Sequence, residues 1–456
     1  MIEFWKGRWA DGRFSASRLG KEVALNASLL NKIISAAANL ITLTLVARKF
    51  TVELQGYYFA IQSFLALIVV LEFGFGGVLV QFISHEWAFV RAESRNIEGH
   101  PVHVSKIREI MLLAMVYYRK LAAFSLFVVT PIGYAILRAK GANLYEHLIP
   151  WFLIGLFLVP SILCMPLRYI LEGSGKFVES EMSRFIGLLV SNTVGWLLLL
   201  GDVKIYSFAA MTFCLGLVDY WILNRLTLPY RLISSENLVI SQELRESIWR
   251  HERRIAPSWL CGYICYQSFY PALFIFQGPV IAGEFGPTLQ IYFFTISFGL
   301  TWVTVNAPKF GVLGAGRDFS SLRALVRRTS WTAASITALF SMCVWAAFFL
   351  IESLQLHVYN ASVNLIILGI LLLCASLGQF QSTETTAIWF QKQNPFLLIN
   401  IGTAVLVLAS NCIFAKIGSS FGMIASFFII TNLLAWPASH LAYNRAIGRL
   451  CTSSTE

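Results

Sequence analysis

A lysine stands where an apolar helix ordinarily carries none. Lys32 falls about nine residues into the first long apolar run, and Ser28, Ser35, Asn39 and Thr42 recur around it at helical spacing, with Asn31 beside them. Intervals of three and four residues put these side chains on one helix face. At 1.5 Å per residue, nine residues place the ammonium about 14 Å inside the run, deeper than its stem recovers by reaching back. A buried ammonium needs a carboxylate or an anionic ligand. Glu72 and Asp219 are the acids embedded in apolar sequence. Two readings stand side by side. In one, Lys32 forms a structural pair with Glu72 or Asp219. In the other, Lys32 attracts a phosphate, and Glu72 or Asp219 exchanges a proton or cation. Arg168, Arg184 and Arg225 stand near the mouths of their helices. Topological anchoring accounts for each, and Arg168 and Arg184 are also candidates, with Lys32, to draw in a pyrophosphate.

A second set is neutral. Tyr263, Tyr266, Gln267, Tyr270 and Gln277 stripe a later apolar run that contains Pro257 and Pro271. The next run carries Gln290, Ser297, Thr301 and Thr304, and another carries Ser376, Gln379 and Thr383. Tyrosine faces stack on the C–H face of a pyranose, while Tyr hydroxyls and Gln amides meet its hydroxyls. Aromatic packing and interhelical hydrogen bonding use the same residues, so the stripes mark either a wet cavity or the glue between helices. Pro160, Pro166, Pro257 and Pro271 are places for helices to bend.

Several chemistries are excluded. No G-x-x-x-x-G-K-[ST] occurs; Gly175-Lys176 lacks the upstream glycine and the following hydroxyl residue, so no nucleotide-binding loop of that type is present. His85-Glu86 and His251-Glu252 lack a second His at zinc spacing. Gly418-Ser419-Ser420-Phe421-Gly422 matches G-x-S-x-G, but no strand precedes it, and a tight turn is the better reading. The eight Cys lie mostly in apolar runs, Cys261 and Cys265 one turn apart, as small apolar filler rather than metal or redox pairs. No catalytic residue, metal site or cofactor is expected, and the chain reads as a protein that is not an enzyme.

The elements that hold these residues follow from composition. Of 456 residues 57% are hydrophobic and only 13% charged, and the mean hydropathy is +0.67. A span needs about 20 mostly apolar residues, so the expected fold is an all-α polytopic membrane protein of about twelve transmembrane helices. The spans are read at 23–46, 57–82, 113–137, 149–171, 183–200, 205–226, 256–281, 285–306, 329–351, 361–380, 396–415 and 421–443. With the N-terminus inside, 26 of the 35 Lys and Arg fall in cytoplasmic segments or at their helix mouths, against 6 in outer loops. That bias sets both termini in the cytoplasm. It also explains the net charge of +11 without a nucleic-acid partner.

The basic linker 227–255 divides the chain into an N-terminal lobe, 1–226, and a C-terminal lobe, 227–456. Leu244, Ile248 and Ile255 make one face of that linker apolar, and Leu322, Leu325 and Val326 do the same within 317–328, so both read as helices lying at the membrane surface. Each half begins with a polar-striped helix and an outer turn containing glycine, at Gln55-Gly56-Tyr57 and Phe285-Gly286-Pro287. Such faint duplication is common in transporters.

Five stretches have a familiar order: Leu45-Val46-Ala47-Arg48-Lys49-Phe50, Gln55-Gly56-Tyr57-Tyr58, Leu71-Glu72-Phe73-Gly74-Phe75-Gly76, Gln81-Phe82-Ile83-Ser84 and Ile170-Leu171-Glu172-Gly173-Ser174-Gly175-Lys176-Phe177. The chain resembles the Wzx-type polysaccharide transporters, lipid-linked oligosaccharide flippases of the MOP superfamily, with Glu72 where that family usually has Asp. The resemblance implies two six-helix lobes around a central cavity. It implies ATP-independent movement of undecaprenyl-pyrophosphate-linked repeat units, of O-antigen or exopolysaccharide, across the bacterial inner membrane. The implied partners are the lipid-linked substrate, membrane lipids, and the polymerase and chain-length regulator of the same pathway. A cation antiporter of the same superfamily, a membrane enzyme of glycan assembly and a non-transporting scaffold are the alternatives.

Overall fold

The computed structural model describes residues 18–452 except 88, 94–95, 100, 232–239, 316, 355–363, 390 and 392–393. In hydrocarbon a backbone must satisfy its own polar groups, and this chain does so with helices. They are α1 (Arg18–Lys49), α2 (Val52–Val70), α3 (Phe75–Trp87), α4 (Pro101–Phe124), α5 (Thr130–Ala139), α6 (Ile149–Gly173), α7 (Phe177–Leu200) and α8 (Tyr206–Arg231). The second half holds α9 (Gln242–Gln267), α10 (Phe269–Gln277), α11 (Pro279–Ala315), α12 (Phe319–Ser353), α13 (Leu365–Trp389), α14 (Leu397–Ile417), α15 (Ser420–Phe428) and α16 (Trp436–Thr452). Wider π turns at Ser125–Val129 and Ile429–Ala435 join α4 to α5 and α15 to α16, and a third, Leu144–Leu148, leads into α6.

Nine stretches among the described residues are long and apolar enough to cross a membrane. The other three expected spans correspond to α1, to α2 with α3, and to α9 with α10. Large apolar side chains point out of the protein, such as Phe127 at 73% and Leu398 at 81% exposure. Apolar surface of that kind on nearly every helix needs lipid around it. The protein is a multi-pass, all-α membrane protein. One exception lies in the connection 83–112, where a short hairpin pairs Val90–Glu93 with Asn96–Gly99, Val90 opposite Gly99.

Two of the spans are interrupted. The second span stops at Val70 and restarts at Phe75, with Phe73 (φ 54°) and Gly74 (φ 82°) both left-handed. Glu72 closes this break, its Oε1 accepting the Gly76 N–H at 3.1 Å, so the acid caps the first turn of α3. In the seventh span the helix runs through Pro257 without stopping and ends at Gln267. Gln267 is four residues before Pro271, the carbonyl that a proline ring displaces.

Contacts divide the chain into two compact units. One comprises the described residues to Thr42 together with Leu67–Ala256, and the other comprises Leu43–Ala66 with the residues from Pro257 onward. Within the second unit, Gly56 and Gly286 lie inside α2 and α11 and are not outer turns. A Cβ at Gly56 would stand 1.8 Å from the Pro279 carbonyl oxygen, and one at Gly283 1.9 Å from that of Val52. These glycines are small because two helix backbones cross there in contact. The start of α12, read from sequence as a surface helix, is built into the protein. Leu322 and Val326 are buried with Phe310, Ile388, Phe396 and Ile447. Their apolar face found protein in place of lipid.

Candidate functional site

The first unit gathers the ionisable candidates read from the sequence. Arg168 on α6 is buried, donating to Asp219 Oδ1 on α8 at 2.8 Å and to the Ser180 carbonyl at 3.1 Å. Ser183 adds a donor to the same Asp219 oxygen at 3.2 Å. Arg168 and Asp219, one a pyrophosphate candidate and the other an ion-coupling candidate, thus neutralise each other. Arg184 differs: it is half exposed and stands 3.8 Å from Glu181, leaving its guanidinium open to an anion. Asn31 on α1 is buried and donates to Glu181 Oε2 at 2.8 Å and to the Glu181 carbonyl at 2.7 Å. Thr42 accepts from the Trp196 indole at 2.9 Å. Asn31 and Thr42 therefore join helices. Ser35 is partly exposed and Asn39 exposed. The side chains of Ser28 and Lys32 lie outside the described residues.

Glu72 has its own surroundings. Besides the Gly76 N–H, its Oε1 accepts the hydroxyls of Tyr118 on α4 and Tyr169 on α6, the latter at 2.7 Å. Three donors on one oxygen are the partners of an ionised carboxylate.

The second unit holds the neutral set. Tyr266 lines a narrow pocket with Gln379, Gln381, Ser382, Thr431 and Asn432. Its walls combine these amides and hydroxyls with the rings of Tyr292 and Phe427 and the apolar Ile296 and Cys374. Gln379 donates to the carbonyls of Ile296 and Ala375, both at 3.2 Å, while its own amide oxygen is buried without a partner. Tyr263 is partly buried, and its hydroxyl reaches the Ser63 carbonyl at 3.3 Å. Tyr270 is different. It is 2% exposed, stacked on Phe59 at 5.5 Å, with its hydroxyl on the Gly286 carbonyl at 2.5 Å. That tyrosine packs the interior of the unit. Gln267 and Gln290 are partly buried. Ser297 and Thr301 donate their hydroxyls to carbonyls of their own helix, Phe294 at 2.6 Å and Ser297 at 2.8 Å.

Sequence reasoning passes over Thr431 and Asn432. Their signal is a polar pair within an apolar run, which the structure sets in the π turn Ile429–Ala435. Such turns widen a helix and recur at functional sites. No group of three metal-binding side chains occurs among the described residues.

No protein-family model and no curated protein sequence matches the chain. Solved structures do. An inward-facing multidrug-resistance transporter of the MATE family aligns with 92% of this chain and 96% of its own at TM-score 0.68 and 13% identity. A MOP-superfamily transporter from Pyrococcus furiosus covers 94% and 96% at TM-score 0.65 and 14% identity. The fold is the one these two transporters share. The lipid II flippase MurJ, in an inward closed conformation, also aligns, over 94% of this chain and 90% of its own, at TM-score 0.64 and 12% identity. These neighbours are transporters and flippases, and at such identities the likeness is one of fold.

Proposed function

We propose that the protein is a flippase of the bacterial inner membrane, moving a polyprenyl-pyrophosphate-linked oligosaccharide from the cytoplasmic to the outer leaflet. The observation that carries this reading is the neutral pocket of the second unit, where Tyr266, Gln379, Gln381, Ser382, Thr431 and Asn432 offer hydrogen bonds and ring faces and no formal charge. The pocket is narrow, with room for about one water molecule. Its walls suit an uncharged, polyhydroxylated head group by chemistry, each hydroxyl donating and accepting, and would have to part to admit a sugar ring. Within the first unit, taken by itself, the half-exposed Arg184 and, by its place in the sequence, Lys32 are cations suited to a diphosphate. Five motif stretches resembling the Wzx-type transporters support the same substrate class. No bond is made or broken. The barrier is the cost of taking a polar head through hydrocarbon, and the protein lowers it by replacing water's hydrogen bonds.

The test is reconstitution. Liposomes containing the purified protein and a short lipid-linked oligosaccharide should expose the glycan to an outside lectin or glycosidase faster than protein-free liposomes. Equal exposure in both would overturn the reading. A second reading, export of organic cations by cation exchange, draws on the buried acids Glu72 and Asp219 and on the MATE-family neighbours. Cation-driven efflux of such compounds, with no effect on the lipid-linked glycan, would favour it.

A further inference from the structure

The most unusual polar group in the first unit is Glu252. It belongs to Arg250-His251-Glu252-Arg253-Arg254, a string that reads as solvated. Yet Glu252 is 4% exposed, and both its carboxylate oxygens are buried with no hydrogen-bond partner. Leaving an ionised carboxylate in that condition is costly, and a carboxyl in such a place takes up a proton instead.

Packing explains how it came there. Trp249 and Glu252, three residues apart, share a face of α9. Trp249 stacks on Phe75 at 5.7 Å and meets Tyr117 edge-on at 5.9 Å. Tyr117 in turn places its hydroxyl on the Leu71 and Glu72 carbonyls, at 3.3 and 3.4 Å. The face of α9 carrying Glu252 is therefore held against the break that displays Glu72. Among the described residues, the titratable groups facing Glu252 are Glu72 from the break and Tyr117 from α4, while Tyr118 and Tyr169 stand behind Glu72. On its own helix, Arg253 is exposed and His251 turns to Gln81 at 3.1 Å.

We propose that Glu72 and Glu252 form a proton-binding site, in which Glu72 holds the negative charge and Glu252 carries one exchangeable proton. The division of labour follows from the donors. Glu72 Oε1 receives three hydrogen bonds, whereas Glu252 receives none and lies in the field of Glu72. Two neighbouring carboxylates do not both ionise readily, and the less well solvated one keeps the proton. Burial, and after it the Glu72 charge, pushes the Glu252 carboxyl up to about 7. The site stands whatever solute the protein carries, because it is defined by proton uptake and not by transport.

Infrared difference spectra of the purified protein in lipid nanodiscs, taken between about pH 5.5 and 8.5 where a raised carboxyl titrates, test it. The wild type should show a protonated-carboxyl C=O band that vanishes at the alkaline end. Glu252→Gln should lack that band. Glu72→Gln should retain it with its midpoint moved, by about one pH unit or more, toward acid, because the like charge is gone. A band that persists in Glu252→Gln overturns the proposal. So does a midpoint unmoved in Glu72→Gln, a variant that decides the matter even if Glu252→Gln does not fold. Loss of the band on adding sodium at constant pH would make a metal cation the occupant and would also overturn it. Stability gives a second readout. A carboxyl raised in the folded state stabilises below its ordinary value, and that contribution disappears as pH rises through about 7. Wild-type protein should therefore lose thermal stability as pH rises from the ordinary carboxyl range to about 7 and level off above it, while Glu252→Gln, neutral throughout, should not show that loss.

Discussion

A single residue type in an apolar run carries much information, because hydrocarbon makes every unpaired polar group expensive. Glu72 and Asp219 are visible in the sequence for that reason, and the structure supplies partners for both. Asp219 and Arg168 show what the sequence leaves open, since two embedded charges 51 residues apart announce neither each other nor their purpose. As a buried pair, each protects the other from isolation. Arg168→Met or Asp219→Asn alone should each lower stability by about 3–5 kcal/mol, the usual cost of stranding one partner. Combined, they should recover most of that loss, measured as thermal unfolding in detergent. Losses that simply add would show that the two charges do not depend on each other. Lys32 is the complementary case. If its charge meets a diphosphate, Lys32→Ala should reduce glycan export more than Lys32→Arg at equal protein level, and equal export by the two would remove it from the path. Glu252 escapes sequence reasoning altogether. Its neighbours are Arg and His, so the string looks solvated until Trp249 turns that face inward onto Phe75.

At the scale of elements, hydrophobicity locates the helices well and glycine misleads. The apolar run at 149–171 becomes α6, Ile149–Gly173, continuing the π turn that Asn143 caps by accepting the Tyr145 N–H, and the Ser174-Gly175 turn, with Gly175 at φ 81°, ends it. Gly56 and Gly286 look like turn residues, since glycine near an expected loop ordinarily is one. Their role is instead contact between α2 and α11, a fact about two distant segments that no local pattern encodes. The difference can be measured. Gly56→Ala sets a Cβ 1.8 Å from a backbone oxygen that cannot swing aside, and it should destabilise the protein severely or abolish its accumulation. Gly262→Ala is the control: its Cβ meets nothing within 4 Å, and helix propensity alone should make it neutral or stabilising by up to about 1 kcal/mol. Equal behaviour of the two variants in a thermal-shift assay would mean that no close crossing exists at Gly56.

For the whole molecule, the count of twelve spans is legible because each needs a length of apolar sequence that nothing else in the chain requires. Membrane orientation rests on a different physics, the asymmetric cost of moving Lys and Arg outward during insertion, and it is read from charge alone. The structure provides sharp places to test it. Lys204 lies in the short turn between α7 and α8, exposed and paired with Glu146 at 2.5 Å, on the side expected to face out. Arg327 is exposed near the start of α12, after the basic connection expected to face the cytoplasm. In a variant with the eight native cysteines replaced, Lys204→Cys should react with a membrane-impermeant maleimide added to intact cells. Arg327→Cys should react only after the membrane is opened. The reversed pattern would invert the molecule and would send the proposed flippase in the wrong direction, since Arg184 and Lys32 would then meet their diphosphate from the outer leaflet. Labelling of both sites in intact cells would indicate instead that one of the helices between them fails to cross, and the even span count on which the cytoplasmic termini depend would fall with it.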